Sequence, residues 1–285
     1  MCGFIVLLIY TALMLGATFL FSRKSGTAGS FHVADRRLGL FQSAMSIAAT
    51  WIWAPALFTS AEKAYTTGWP GLVWFLVPNV LCLLVFVPFA QRIRAQMPEG
   101  VTVSGYMAEH HRFKPVHGVY LFELSALTVL STAVQLLAGA KILSAVTGWP
   151  FWLLTVVLAA IAFSYSQYSG IRASVLTDSL QMLLMLGCCA LLVPLALRGN
   201  GAGSLVKGLA GATGEFTRLL DKNGLTVLLR FGLPSAIGLL AAPFGDQCFW
   251  QRAFSIRKDK MGKALPRPGK YSAPAQSPPC QSRQR

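Results

Sequence analysis

The sequence is short of charge, and of acidic charge above all. Only 12% of its 285 residues are Asp, Glu, Lys or Arg, and ten of them are acidic. Soluble domains carry about 25% charged residues. Hydrophobic residues make up 54% of the chain. This composition is typical of an integral membrane protein that lies in a lipid bilayer.

Motifs for metal, redox and phosphate chemistry are also lacking. The six cysteines show neither CxxC spacing nor a cluster with histidine, which metal and redox sites require. The Gly-rich stretch 199–214 lacks the Gly-Lys-Ser/Thr ending of a phosphate-binding loop. No pair of side chains resembles a nucleophile with its base. We therefore expect neither an enzyme nor a bound cofactor; an intramembrane enzyme using Glu123 or Asp178 is a remote alternative.

The formal net charge of +15 does not indicate nucleic-acid binding. Such an interface needs Lys and Arg clustered on one folded surface, whereas here they are spread over short segments between apolar runs. These segments carry fourteen Lys and Arg on one side of the predicted spans and five on the other. Because positive residues accumulate on the cytoplasmic side, we expect a cell-membrane protein with its N-terminus outside and its C-terminal tail in the cytoplasm.

Seven runs are long and apolar enough to predict membrane-spanning helices. They lie at about residues 3–22, 40–62, 71–90, 117–146, 151–166, 168–197 and 225–245. Short surface helices are predicted at Val103–His110 and 215–221. We expect a transmembrane domain over 1–263. The Pro-, Ser- and Arg-rich segment 264–285 has no apolar periodicity, and it is predicted to be a disordered basic tail.

The second predicted span contains the strongest local signal. Thr50, Trp51, Trp53 and Pro55 lie within six positions, and Pro55 cannot donate to the carbonyl four residues before it. In hydrocarbon, a carbonyl without a donor is costly unless protein, water or an ion satisfies it. Transporters build ion sites at interrupted helices of this kind. The sequence therefore predicts an interruption here, and a proline-kinked packing helix is the alternative.

Asp178 is the sharpest polar candidate within the spans. It lies about two turns into the sixth span, with Gln181 on the same helical face. An ionisable residue at such a depth marks an ion path or a paired charge. The alternative is a carboxylate at the membrane interface that pairs with Arg172.

Three further side chains are weaker candidates. Gln135 either hydrogen-bonds a solute or joins two helices. Trp53, next to the predicted interruption, either lines a solute pocket or packs against lipid and neighbouring residues. Glu123 is expected at the interface.

An ordered series of motifs resembles the sodium:solute symporter family. The series includes Arg37-Leu-Gly39, Ala49-Thr-Trp-Ile52, Gly170-Ile-Arg-Ala173, Thr177-Asp178 with Gln181, and Asp246-Gln247 with Trp250-Gln-Arg252. It covers about residues 30–260. Within the family, Thr50-Trp-Ile-Trp-Ala54 is similar to the urea-transporter branch.

The resemblance implies an all-α, multi-pass fold in which this chain forms the first repeat of a leucine-transporter-like inverted-repeat arrangement. It implies that sodium, as the coupling ion, contacts the main-chain carbonyls of Ala49 and Ile52, and that Asp178 is a sodium-linked carboxylate. The implied function is sodium-coupled symport of a small polar solute, of the urea, amino acid or carboxylate class, by alternating access.

The number of predicted spans departs from the family pattern. Family members carry a second repeat that supplies hydroxyl ligands for sodium, whereas the spans predicted here account for the first repeat and the opening helix of the second. We therefore expect an incomplete sodium site. The alternative function is a truncated membrane protein that does not transport.

Overall fold

The computed structural model describes residues 2–21, 28–111 and 114–257. The predicted tail 264–285 lies outside the described residues. Those residues form helices joined by short turns, and their β structure is limited to one isolated main-chain bridge, between Leu38 and Ile256. The all-α prediction is confirmed.

Eleven α-helices follow one another along the described ranges. They are α1 Cys2–Phe21, α2 Ala28–Val33, α3 Leu40–Trp51, α4 Ala54–Gln96, α5 Val103–His110, α6 Lys114–Thr147, α7 Phe151–Ser169, α8 Ile171–Gly208, α9 Lys222–Val227, α10 Leu233–Gly245 and α11 Gln247–Ser255. A 3-10 turn, Ala34–Arg36, follows α2, and a π-helical segment, Leu228–Gly232, joins α9 to α10. The predicted surface helix at Val103–His110 is confirmed as α5.

Four helical stretches of the described chain are long and apolar enough to cross a membrane. They are Ala54–Gln96, Pro115–Thr147, Ile171–Gly199 and Lys222–Gly245, and two shorter apolar helices are Leu7–Leu20 and Phe151–Ser164. The predicted spans 40–62 and 71–90 fall on α3 together with the two parts of α4. The protein is therefore an all-α, multi-pass membrane protein.

The predicted loop between the second and third spans is an interruption of α4 at Gly68. This residue has φ 55° and ψ −141°, a conformation that glycine adopts without a steric penalty. The Trp69 N–H donates to the Leu209 carbonyl at 2.8 Å, and the Ala212 N–H donates to the Tyr65 carbonyl at 2.8 Å. The segment after α8 is thus held against the interruption.

The predicted helix at 215–221 is wrong. Residues 209–221 form turns, and α9 begins only at Lys222. Gly211 and Gly214, which precede the predicted helix, adopt φ values of 74° and 76°, so no right-handed helix leads into it. The Phe216 N–H donates back to the Ala210 carbonyl, so the local hydrogen bonds close a turn instead of a helix.

The main buried cluster forms where α11 meets α4, α5 and α6. Trp250 and Phe254 of α11 pack with side chains of these helices, including Phe86, Val103 and Leu124. The buried Arg94 of α4 donates to the carbonyls of Ala253 and Ile256. These bonds supply donors to carbonyls at the end of α11 that lack them within the helix.

Residues 251–263 follow the last predicted span and belong to the basic segments counted above, which are predicted to be loops; for their first part this prediction is wrong. Gln251–Ser255 is helical, and Arg252 is buried. The Asp246 side chain accepts a hydrogen bond from the Cys248 N–H at 2.8 Å, and such an N-cap starts a helix. The burial of Trp250 and Phe254 then fixes α11 against the spans.

Candidate cation and solute site

The predicted interruption of the second span is confirmed. The first part, α3, ends at Trp51, and α4 begins at Ala54 with Pro55 in its first turn. Between them, Ile52 has φ −82° and ψ 75°, and Trp53 is extended with φ −94° and ψ 165°. Proline is favoured in the first helical turn because its missing N–H needs no partner there.

The interruption withdraws the usual donors from the carbonyls of Ala49 and Ile52. In a regular α-helix, each carbonyl accepts a hydrogen bond from the N–H four residues later. Here the Trp53 N–H donates to the Trp51 carbonyl at 3.0 Å, and the Ala56 N–H donates to the Trp53 carbonyl at 3.0 Å. The helical donors of both carbonyls predicted as sodium ligands therefore bond elsewhere, and so does that of Thr50, the Ala54 N–H.

Gln135 of α6 reaches this interruption directly. Its Oε1 accepts a hydrogen bond from the Ala54 N–H, the first of α4, at 3.0 Å. The structure thus brings Gln135 beside Trp53, whose side chain is part-exposed at 37%. Gln135 joins two helices, as one alternative predicted. Contact of Gln135 or Trp53 with a solute stays a prediction.

Asp178 lies in a more buried polar cluster formed by α3, α8 and α11. Its Oδ2 accepts hydrogen bonds from Ser46 Oγ at 2.5 Å and from Arg252 Nη2 at 2.6 Å. The Asp178 and Arg252 side chains are 17% and 6% exposed. Asp178 is therefore a paired, largely buried carboxylate.

The alternative pairing of Asp178 with Arg172 is wrong. Arg172 Nη2 lies 2.5 Å from Asp35 Oδ2, and both side chains are part-exposed. Arg172 meets the 3-10 turn before α3, whereas Asp178, farther along α8, faces α3 and α11. The neighbouring Gln181 donates to the Tyr10 hydroxyl at 2.7 Å and so links α8 to α1.

The three residues predicted to bind sodium lie at different heights along the axis of α3. Ser46, which holds Asp178, precedes Ala49 by three residues and Ile52 by six, or about 4.5 and 9 Å along a helix that rises 1.5 Å per residue. The structure therefore brings Asp178 to the same helix as the two carbonyls, one to two turns nearer its N-terminus. A sodium site formed by these three residues stays a prediction.

Ser46, Ser174 and Arg252 are the members of this cluster that the sequence did not indicate as site residues. Arg252 is one of the basic residues outside the predicted spans, yet its guanidinium is buried against Asp178. A helix N-cap at Asp246 was the available signal, because it places Cys248 and Arg252 four residues apart on one helical face. Ser46 carried no comparable signal.

The part of the chain that contains the interrupted helix and the buried carboxylate is similar to known proteins. A family model described as sodium:solute symporter family matches residues 31–263. The chain belongs to this family. The matched residues include the interruption, Gln135, Asp178 and Arg252.

Relatives within the family handle different solutes. The chain is 27% identical over 273 residues to "Probable urea active transporter 1" of Schizosaccharomyces pombe, covering 89% of this chain and 39% of that protein. It is 28% identical to "Sodium-dependent multivitamin transporter" of Oryctolagus cuniculus, covering 80% and 32% of the two chains. It is 27% identical to "Sodium/pantothenate symporter" of Escherichia coli, covering 71% and 43%. The chain spans less than half the length of each, and all three are transporters by name.

Proposed function

We propose that this chain is the sodium-binding part of a sodium-coupled symporter for a small polar solute of the urea, amino acid or carboxylate class. The observation that carries the proposal is the main-chain interruption between α3 and α4, where the carbonyls of Ala49 and Ile52 have lost their helical donors. Sodium would be the coupling ion. The fourteen-to-five bias of basic residues supports a cell-membrane location with the N-terminus outside.

Sodium can drive an alternating-access cycle only if its affinity differs between the two conformational states. A bound ligand shifts a conformational equilibrium by as much as its affinities for the two states differ. The carbonyls at an interruption change direction when the two helical parts move, so their affinity for sodium changes too. Gln135 uses Oε1 for the Ala54 N–H, and its amide NH2 is a donor for a carbonyl oxygen such as that of urea.

The test is a sodium titration of the 285-residue chain in lipid nanodiscs. Sodium chloride replaces choline chloride at constant ionic strength, and tryptophan fluorescence is followed. We expect a saturable, sodium-specific change that Trp53→Phe removes. The matched control, Trp152→Phe, alters an exposed tryptophan of α7 and should retain the change. The same signal with choline alone would contradict sodium binding at the interruption.

A second proposal concerns the chain on its own, and it rests on the 39% coverage of the urea transporter relative. The family resemblance implies further sodium ligands in a second repeat, so this chain alone should not accumulate solute. We expect vesicles containing the chain, given an inward sodium gradient, to take up urea, proline and short carboxylates no faster than empty vesicles. Sodium-dependent accumulation of any of them would contradict this second proposal.

A further inference from the structure

The Arg252 guanidinium lies in a cage of four oxygen atoms. Its Nε donates to Ser46 Oγ at 2.7 Å, and its Nη1 donates to the Cys248 carbonyl at 3.0 Å. Its Nη2 donates to Asp178 Oδ2 at 2.6 Å and to Ser174 Oγ at 3.3 Å. Three helices, α3, α8 and α11, supply these oxygens.

This oxygen set is also suited to a metal cation. Hard cations prefer carboxylate, carbonyl and other oxygen ligands, and the cage offers a carboxylate, two hydroxyls and a carbonyl. A buried carboxylate is strongly destabilising when its charged partner is removed. Whenever the Arg252 side chain leaves, another cation is therefore favoured in its place.

We propose that Arg252 is a tethered cation that competes with sodium for Asp178, Ser46 and Ser174, and so decides when Asp178 can receive the ion. This inference rests on the sodium-coupled function proposed above. A sodium ion bound to Asp178 Oδ2 and Ser46 Oγ would stand where the guanidinium nitrogens stand. Two positive charges so close together also repel each other strongly in a buried site.

The exchange must come from movement. The guanidinium is held in the cage by its bonds to all four oxygens, so an ion cannot enter while it stays there. The side chain has to swing out, or α11 has to shift relative to α3 and α8. The position of α11 thus decides, through Arg252, whether Asp178 can bind sodium. Arg252 acts as a positioning residue.

The test measures thermal stability of the 285-residue chain in nanodiscs, with sodium chloride or choline chloride at equal ionic strength. In Arg252→Gln, sodium should raise Tm by about 3 °C or more, because the ion fills the vacated cage. The wild-type chain should gain clearly less. The double variant Arg252→Gln/Asp178→Asn should lose the gain. Arg172→Gln, which removes an arginine paired with Asp35, is the matched control and should behave as wild type.

The possible failures are distinguishable. Equal sodium gains in wild type and Arg252→Gln would overturn the competition, and no gain in folded Arg252→Gln would overturn the cage as a cation site. If Arg252→Gln is not monodisperse, Arg252→Lys replaces it: lysine fills the cage less completely, so its sodium gain should exceed that of wild type, and no excess overturns the proposal. If neither the wild-type chain nor any variant shows the sodium-dependent fluorescence change of Trp53, the proposed function is contradicted instead.

Discussion

Gln135 supplies, from a neighbouring helix, the acceptor that the first N–H of α4 needs. The first N–H groups of a helix have no partner within it, and in an apolar environment an unpaired group is costly. Trp53, at the N-cap of α4, has no side-chain oxygen to offer. The acceptor comes instead from Gln135 of α6, so one amide stabilises the geometry of the interruption.

Replacing Gln135 should show how much its hydrogen bond to the Ala54 N–H stabilises the interruption. Gln135→Leu leaves the Ala54 N–H without its acceptor, and we expect a loss of about 1–3 kcal/mol in stability, measured as a lower Tm in nanodiscs. Gln135→Glu keeps an acceptor oxygen near a helix N-terminus, where negative charge is favoured, and should retain the wild-type Tm. A Tm of Gln135→Leu equal to that of wild type would show that the hydrogen bond does not stabilise the interruption.

Cys248 should react slowly with thiol reagents at neutral pH. Burial, helped by the nearby Asp246 carboxylate, raises the pKa of the Cys248 thiol to about 11. The thiolate is the reactive form, and a raised pKa lowers its fraction at every pH below that value. With Cys248 as the sole cysteine, the maleimide labelling rate should rise about tenfold per pH unit from pH 7 to pH 9 without levelling off.

The control for Cys248 is Glu109→Cys in a chain without other cysteines. Position 109 is exposed on α5, where a thiol of ordinary pKa approaches full reactivity near pH 9. A plateau for Cys248 in the same range would contradict the raised pKa.

Two interruptions, one between α3 and α4 and one within α4, have different causes. The one at Ile52–Trp53 follows from Pro55, which cannot continue the hydrogen bonding of α3. The one at Gly68 follows from a conformation available to glycine and from close contact with residues after α8. A Cβ atom at position 68 would lie 2.3 Å from the Leu209 carbonyl oxygen and 2.5 Å from the Gly211 nitrogen.

The Gly68→Ala variant should therefore be markedly less stable. The substitution combines an unfavourable positive φ with a main-chain clash that no side chain can relieve, and we expect a loss of at least about 2 kcal/mol. Gly187→Ala is the matched control, because a Cβ at this position of α8 meets nothing within 4 Å. It should leave Tm unchanged or raise it, since alanine favours helix over glycine. Equal Tm values for the two variants would contradict the contact at Gly68.

At the scale of the whole molecule, one end of the helices is tied together by polar contacts. Arg36 pairs with Glu99 at 2.9 Å, Gln251 donates to the His32 carbonyl at 2.8 Å, and the Leu38 N–H donates to the Ser255 carbonyl. The segments before α3, after α4 and after α10 thus lie on one side. These segments belong to the side of the predicted spans that carries fourteen of the counted basic residues.

The orientation of this side can be tested by labelling single cysteines on intact cells. If it faces the cytoplasm, as the basic residues predict, Glu109→Cys should react with a membrane-impermeant maleimide only after permeabilisation. Tyr65→Cys, at an exposed position near the Gly68 interruption, should react without it. The reverse pattern would show that the chain inserts with the opposite orientation.

The features that the sequence predicted have local causes. Pro55 and its neighbours predict the interruption. The boundaries of α5 likewise follow from residues a few positions apart. The ion pairs have no such cause: Asp178 and Arg252 are 74 residues apart, and Asp35 and Arg172 are 137 residues apart. Charge alone does not tell which carboxylate an arginine reaches, so Arg172 was a reasonable partner for Asp178 and the wrong one.

The distance along the chain between Ser46 and Arg252, 206 residues, has a consequence for biosynthesis. Synthesis runs from the N-terminus, so α11 leaves the ribosome after every other described helix. Until it docks, the Asp178 carboxylate lacks its guanidinium partner, and a carboxylate without a partner is costly in an apolar setting. The arrival of one arginine then neutralises it. A chain whose earlier helices are misplaced cannot make this final contact, and its open acidic site should distinguish it from correctly assembled copies.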